Sequence, residues 1–280
     1  MAMIKYDSGE FYLDNRLKKE LDIYLSACKQ DDDFLIIVDG AEGAGKSVLM
    51  QQIGYYCAQT LGTKFTTDNI HFTLKEYIDS SITGEFYRVN VLDESRKILN
   101  KKASMGKESR KFTNYLSECR KRRQVHIMGL PAYHELDKNV VLWRSKMVIH
   151  VLKYFVEDAS DVSGYKLRRG DFKVYMTDEY LKKCYLYPYA YPKKWHVKGS
   201  FRPANVIDKE AYESKKDDNL FKKYHSSVEE EQLTKREQMW KTRWLTFVSG
   251  MRQYRNIKLG EVADLSNMEL NTVKTAISRG

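Results

Sequence analysis

The residues best suited to chemistry lie at positions 40–47, which read Gly-Ala-Glu-Gly-Ala-Gly-Lys-Ser and directly follow the apolar run 34–38. Glycines let the backbone fold into a nest of N–H groups around phosphates, while the lysine reaches the β- and γ-phosphates. The final hydroxyl can ligate Mg²⁺. The pattern therefore predicts a phosphate loop that binds ATP and Mg²⁺, with these contact residues: Gly40, Gly43, Ala44, Gly45, Lys46, Ser47 and Val48.

Two adjacent acids, Asp93 and Glu94, end a second strand-like run at residues 87–92. Their separation from Lys46 leaves room for one strand and one helix of a parallel sheet. An aspartate at such a strand end can support the Mg²⁺ shell, and a following glutamate can polarise the attacking water. We expect Asp93 to serve the metal and Glu94 to be the catalytic base; a plain polar strand end is the alternative.

The elements that must position these residues are indicated by periodicity and capping. Gly62 stands where a left-handed C-cap would end the helix after the loop. Thr73 and Glu76 have capping-box spacing and open a further helix. We expect helices at 15–29, 47–61, 73–80 and 109–123, and strands at 34–38, 70–72, 87–92, 124–130 and 147–152.

A basic cluster lies between residues 101 and 123, where nine Lys or Arg face two Glu. Cations are favourable at a helix C-terminus, so a solvated helix end is one interpretation. The other is an arginine finger that stabilises the transition-state charge on a neighbouring subunit's γ-phosphate. The residue pattern leaves several candidates open: Arg120, Arg122, Arg123 and, before the strand at 147–152, Arg144.

The order of these motifs resembles the FtsK/HerA branch of the RecA-like ATPases, and within it the viral genome-packaging ATPases and the Zot-like phage proteins. The resemblance covers residues 34–155 and includes Leu136-Asp137-Lys138 after the basic helix. It implies a RecA-like α/β core with a mainly parallel sheet. It also implies a ring of subunits that hydrolyses ATP between neighbours, with Lys46 on phosphate, Ser47 and Asp93 on the metal and Glu94 on water.

The strand at 124–130 departs from this resemblance. Ring ATPases of the family usually carry a polar γ-phosphate sensor at its end, whereas this chain has Gly129-Leu130-Pro131. Tyr133 or His134 is a possible substitute, and packing of either side chain is the alternative.

The segment 164–202 combines ten Lys or Arg and three acids with interleaved aromatic residues. Cations on phosphates and rings on bases would suit a nucleic-acid groove, with Lys193 and Lys194 as candidate contacts. A β extension whose aromatics pack on the core is the alternative.

The last part of the chain reads as a charged linker or exposed helix at 208–235, followed by a helical module at 236–280. Residues 259–277 resemble a helix-turn-helix, and an ordinary helical hairpin is the alternative. In the helix-turn-helix interpretation the groove-facing side chains include Asn271, Thr272 and Lys274. The remaining domains are then a P-loop core at 1–160 and a basic, aromatic β extension at 161–207.

Composition sets the remaining expectations. The formal net charge of +10 favours a polyanionic partner. The four cysteines have no paired C-x-x-C spacing, which argues against a zinc site and for a reducing compartment. No apolar stretch has the length of a signal peptide or a membrane span, so we expect a cytoplasmic protein, in the host cytoplasm if viral, without membrane insertion.

These observations predict an ATP-hydrolysing DNA motor that packages or translocates double-stranded DNA for a virus or mobile element. The resemblance implies a homo-oligomeric ring of about five or six copies, with a procapsid or portal as a possible docking partner. Two alternatives stay open: an ATP-switched replication or transcription regulator that moves nothing, and a kinase, against which the adjacent Asp93 and Glu94 count.

Overall fold

The structure is a computed structural model that describes residues 2–93, 114–116, 119–133, 140–158, 160, 164–176 and 194–229. The chain divides into two units, 1–219 and 220–280, and the second is described only at residues 220–229. The helices are α1 (Asn15–Lys29), α2 (Lys46–Leu61), α3 (Leu74–Thr83) and α4 (Lys209–Glu229). The strands are β1 (Ala2–Tyr6), β2 (Gly9–Leu13), β3 (Phe34–Gly40), β4 (Ile70–His71), β5 (Val89–Leu92), β6 (Val125–Gly129), β7 (Ser145–Glu157), β8 (Tyr165–Met176) and β9 (Val197–Ser200).

The central sheet has seven strands in the order β4-β5-β6-β3-β7-β8-β9. The first five are parallel to their neighbours, and β8 and β9 add an antiparallel edge. This arrangement confirms the predicted α/β fold class, a P-loop core with a mainly parallel sheet. The strand β6, which comes later in the sequence, lies between the strand of the phosphate loop and the strand that ends at Asp93.

The strand β3 is buried along its whole length because both faces of the sheet are covered. Phe34, Ile36 and Val38 belong to a core shared with α1 and α2. Leu35 and Ile37 point to a second core that includes residues of α3. The alternation of side chains along a strand thus divides one apolar run between two layers.

The helix predictions are confirmed closely around the loop. Helix α1 has the predicted bounds and is capped by Asp14, whose side chain accepts a hydrogen bond from the Arg16 amide at 2.9 Å. Helix α2 ends at Gly62 in the left-handed conformation. The Thr73 side chain caps α3 by accepting from the Glu76 amide at 3.2 Å.

Other elements differ from the sequence expectations. An antiparallel hairpin, β1 and β2, precedes α1. The end of the expected 109–123 helix is a 3-10 turn at Cys119–Arg122, and residues 109–113 and 117–118 lie outside the described residues. The strand β7 continues to Glu157 and pairs with β8 to form a long hairpin.

Candidate functional site

The phosphate loop connects the carboxyl end of β3 to the amino end of α2. Gly40, Gly43 and Gly45 all have positive φ, at 137°, 70° and 102°. Space also requires glycine at the first position, because a Cβ on Gly40 would lie 2.3 Å from the Val151 carbonyl oxygen. Gly45 caps α2 without a side-chain hydrogen bond, so the first-turn N–H groups of α2 are directed toward the loop, as an anion site requires.

Lys46 begins α2 and folds back over the loop. Its Nζ donates to the carbonyl oxygens of Gly40 at 2.7 Å and Ala41 at 3.0 Å. These contacts hold the ammonium group within the loop, where a bound phosphate would compete for it. Among the other expected contacts, Ala44 is buried and Val48 packs against the core at its edge.

Asp93 lies immediately after β5 and is only 3% exposed. Its backbone N–H donates to the His71 carbonyl at 2.9 Å, which fixes the chain at the end of β4. Its Oδ2 accepts a hydrogen bond of 2.8 Å from Tyr212 Oη. The structure thus describes both side chains that the sequence assigned to the metal, Ser47 at the start of α2 and Asp93 after β5, while Glu94 lies outside the described residues.

Ser47 and Asp93 offer a hydroxyl and a carboxylate, the hard oxygen donors that Mg²⁺ takes in nucleotide sites, where it keeps several waters. The loop beside them offers amide donors and one ammonium group for phosphate oxygens. The donor set therefore fits magnesium bound together with a nucleotide.

The strand β6 lies between the loop strand β3 and the strand β5 that precedes Asp93, and it ends in Gly129. The surroundings of Gly129 explain why no polar sensor side chain stands at this position. A Cβ there would lie 2.7 Å from Met50 Cε and 3.2 Å from Asp93 Oδ1. Met50 and Asp93 thus occupy the space that a side chain at Gly129 would need. Of the two candidate substitutes, Tyr133 is 2% exposed and packed in the second core, and His134 lies outside the described residues.

Asp39 is a site residue that sequence reasoning missed. It is fully buried next to the loop; its Oδ1 lies 3.0 Å from His150 Nδ1 on β7, and its Oδ2 accepts from the Tyr133 amide at 2.9 Å. Asp39 therefore ties the loop to β7 and to the segment after β6. The sequence signal that could have identified Asp39 is its position as an acidic residue directly after the apolar run 34–38.

Tyr212 was missed as well, and no motif marks it. It lies in α4, within the stretch that the sequence analysis described as a charged linker or exposed helix. Its side chain is nevertheless buried, because Phe72 and the carboxyl ends of the strands cover it.

Two of the four candidate arginine fingers, Arg123 and Arg144, lie at the amino edge of the sheet, away from the phosphate loop of their own chain. Arg144 Nη2 pairs with Asp33 Oδ2, whose side chain is 2% exposed. Arg123 Nε lies 3.0 Å from Asp31 Oδ1, and its Nη1 donates to Tyr87 Oη at 3.2 Å. A role for either in a neighbouring subunit stays a prediction.

Of the predicted nucleic-acid contacts, Lys194 is the one that lies among the described residues. It is exposed just before β9. The other predicted contacts, which lie outside the described residues, are Lys193, Asn271, Thr272 and Lys274.

The fold and this site together define a P-loop nucleotide-binding core. No protein-family model matches the sequence, and no curated protein matches it. Among solved structures, the chain is similar to the N-terminal domain of zonular occludens toxin from Neisseria meningitidis. The TM-score is 0.38 at 10% identity, over 62% of this chain and 96% of that one.

It is also similar to the genome packaging NTPase B204 of Sulfolobus turreted icosahedral virus 2 in complex with ATP-gammaS. That match has a TM-score of 0.36 at 12% identity, over 62% of this chain and 98% of that one. B204, the DNA-packaging ATPase from Sulfolobus turreted icosahedral virus, gives a TM-score of 0.35 at 11% identity, over 62% of this chain and all of that one. These proteins come from the Zot-like and viral packaging group that the sequence resembles.

Proposed function

We propose that this chain hydrolyses ATP with Mg²⁺ as one subunit of a ring that packages or translocates double-stranded DNA. One observation supports the ATPase part: the buried Asp93 carboxylate after β5 and Met50 of α2 both lie against Gly129, and α2 is the helix that the Lys46 loop begins. The acid proposed for the metal is therefore next to the helix of the phosphate loop. Hydrolysis would be an in-line attack by water, with Glu94 as the base.

The experiment for this part compares steady-state ATP turnover of the wild type with that of Glu94→Gln, with and without long double-stranded DNA, across protein concentration. We expect wild-type turnover to rise steeply with concentration and with DNA length, because a ring completes its sites between neighbours. Glu94→Gln should bind ATP without turning it over. Retained turnover in this variant would remove the base assignment, and slow turnover indifferent to concentration and DNA would favour the nucleotide-switch alternative.

The DNA part of the proposal is supported by the β7–β8 hairpin. The strand β3 ends opposite Val151, whereas β7 and β8 stay paired as far as Glu157 and Tyr165. The hairpin therefore extends past the edge of the sheet that carries the phosphate loop. Its outer part exposes Phe155 and Tyr165, together with basic side chains at Lys166 and Arg169. Rings and cations interleaved in this way suit contacts to nucleic acid.

The double variant Lys166→Ala/Arg169→Ala tests this assignment. Because counterions are released from each neutralised phosphate, the salt dependence of DNA affinity should weaken by about two in the log–log slope. Basal turnover without DNA should not change. A matched control is Lys19→Ala/Lys29→Ala, which removes two exposed charges from α1. Equal effects of the two variants would show that only net charge matters and would overturn the hairpin assignment.

A further inference from the structure

The segment that follows β9 returns to the phosphate loop. Phe201 packs so closely on Gly45 that a Cβ there would lie 3.1 Å from Phe201 Cζ. The next carbonyl, that of Arg202, accepts a hydrogen bond of 2.7 Å from Gln52 Nε2 on α2. The chain is thus held against the first turns of α2 before α4 begins.

Helix α4 is then anchored at the ends of the strands. Lys215 Nζ donates to the carbonyl oxygens of Thr67 at 3.0 Å and Ile70 at 2.6 Å. The Tyr212 ring lies against Phe72, with ring centroids 5.8 Å apart. These contacts fix the rotation of α4 about its axis, and they direct the Tyr212 hydroxyl toward Asp93.

The hydroxyl of Tyr212 contacts the carboxylate of the site. Its Oη donates a hydrogen bond of 2.8 Å to Asp93 Oδ2. Both residues are buried, Asp93 at 3% and Tyr212 at 6% exposure. The Tyr212 hydroxyl therefore fixes one oxygen of a carboxylate that the protein shields from water.

We propose that Tyr212 is a positioning residue of the magnesium site. By donating to Oδ2 of Asp93, it holds this buried carboxylate in one orientation, as outer partners of metal ligands do. The inference rests on the nucleotide site of the proposed function and not on DNA translocation.

The test uses Tyr212→Phe, which keeps the buried ring and removes only the hydroxyl. Thermal stabilisation of the full chain by ADP is measured across Mg²⁺ concentration, so no turnover is needed. The Mg²⁺ concentration for half-maximal stabilisation should rise about tenfold, in line with losses of outer-shell partners of metal ligands. Stabilisation by ADP in excess chelator should match the wild type, because the phosphate loop is intact.

Tyr56→Phe is the matched control. Tyr56 also donates its hydroxyl to a carboxylate, that of Asp22, from a side chain buried in the same core. Its removal should leave the Mg²⁺ dependence unchanged. In an Asp93→Asn background, Tyr212→Phe should add less than about twofold, because the two residues act through one hydrogen bond.

An unchanged Mg²⁺ dependence in Tyr212→Phe, or effects that simply add to those of Asp93→Asn, would overturn the inference. A wild type without Mg²⁺-dependent nucleotide stabilisation would overturn both this inference and the proposed function. A wild type that binds Mg²⁺ and ADP but shows no DNA-stimulated turnover would overturn the proposed motor alone and leave the role of Tyr212 supported.

Discussion

The two ends of the parallel strands, the carboxyl edge and the amino edge of the sheet, differ in how their charged residues are compensated. At the carboxyl edge, Lys46 donates to backbone carbonyls, and Asp93 accepts from the Tyr212 hydroxyl. At the amino edge, acids and arginines pair within the chain, as Arg144 does with Asp33 and Arg123 with Asp31. The first arrangement suits a charged ligand, and the second neutralises itself.

The amino edge contains a buried polar cluster that illustrates the difference. Asp33, Cys119 and His126 place their possible ligand atoms within 4.8 Å of one another. Burial and the Asp33 charge raise the pKa of the Cys119 thiol to about 12, and burial lowers the pKa of His126 to about 4. With Arg144 already on Asp33, the cluster is balanced by an internal cation. Charged groups that lie close together therefore do not by themselves identify a ligand-binding site. What distinguishes such a site is the way in which its charges are compensated.

The largest expected effect is that of Lys46→Ala at the carboxyl edge. The ammonium group is the one side-chain cation that the loop motif provides for the phosphates, so ATP turnover should fall at least about 100-fold. Stability should change little, because Lys46 donates to carbonyls of its own loop. ATP turnover and urea unfolding are measured side by side. The control is Lys18→Ala, which removes a half-exposed i,i+4 partner of Asp22. A variant that turns over ATP normally would show that this edge does not bind the nucleotide.

The second effect is the loss of Arg144 at the amino edge. Arg144→Ala leaves the buried Asp33 carboxylate without its partner, which should lower the free energy of unfolding by about 3 kcal/mol. Nucleotide affinity should be unchanged. Lys146→Ala is the control, since its pair with Asp32 at 3.5 Å is partly exposed and should matter by less than about 1 kcal/mol. Unchanged stability combined with lost turnover would instead support Arg144 as a finger.

The third effect concerns pH. Burial lowers the folded pKa of His126 and of His71 to about 4, from 6.5. Between about pH 6.5 and pH 4 the unfolded chain takes up protons that the folded chain does not, so stability falls as pH falls. Each histidine should contribute a slope of about 1.4 kcal/mol per pH unit in that window, and its full contribution is present above it.

The measurement for this prediction is the free energy of unfolding at several pH values. His126→Asn removes one titrating group beside Asp33 and Arg144, so the slope should decrease by about one proton. An identical slope in His126→Asn would mean that His126 takes up its proton in the folded protein as it does in the unfolded chain. The cluster at the amino edge would then carry an additional positive charge, which contradicts its internal balance of Arg144 and Asp33.

Local sequence patterns determined the elements of the site to within a few residues. The apolar run before Gly40, the left-handed C-cap at Gly62 and the Thr73 cap depend on chemistry between near neighbours, and the structure has each where it was expected. The loop glycines also follow from local need, because their positive φ values exclude most side chains.

Only the tertiary structure decided which distant groups meet. The insertion of β6 between β3 and β5 places Gly129 beside Asp93, and the return of α4 brings Tyr212 to Asp93 from more than a hundred positions away. The charge pattern indicated several arginine fingers, yet the fold pairs two of them, Arg123 and Arg144, with the acidic turn at 31–33. Sequence periodicity records which face of an element is buried, but not what buries it, because packing partners are set by the order of strands and the path of the chain.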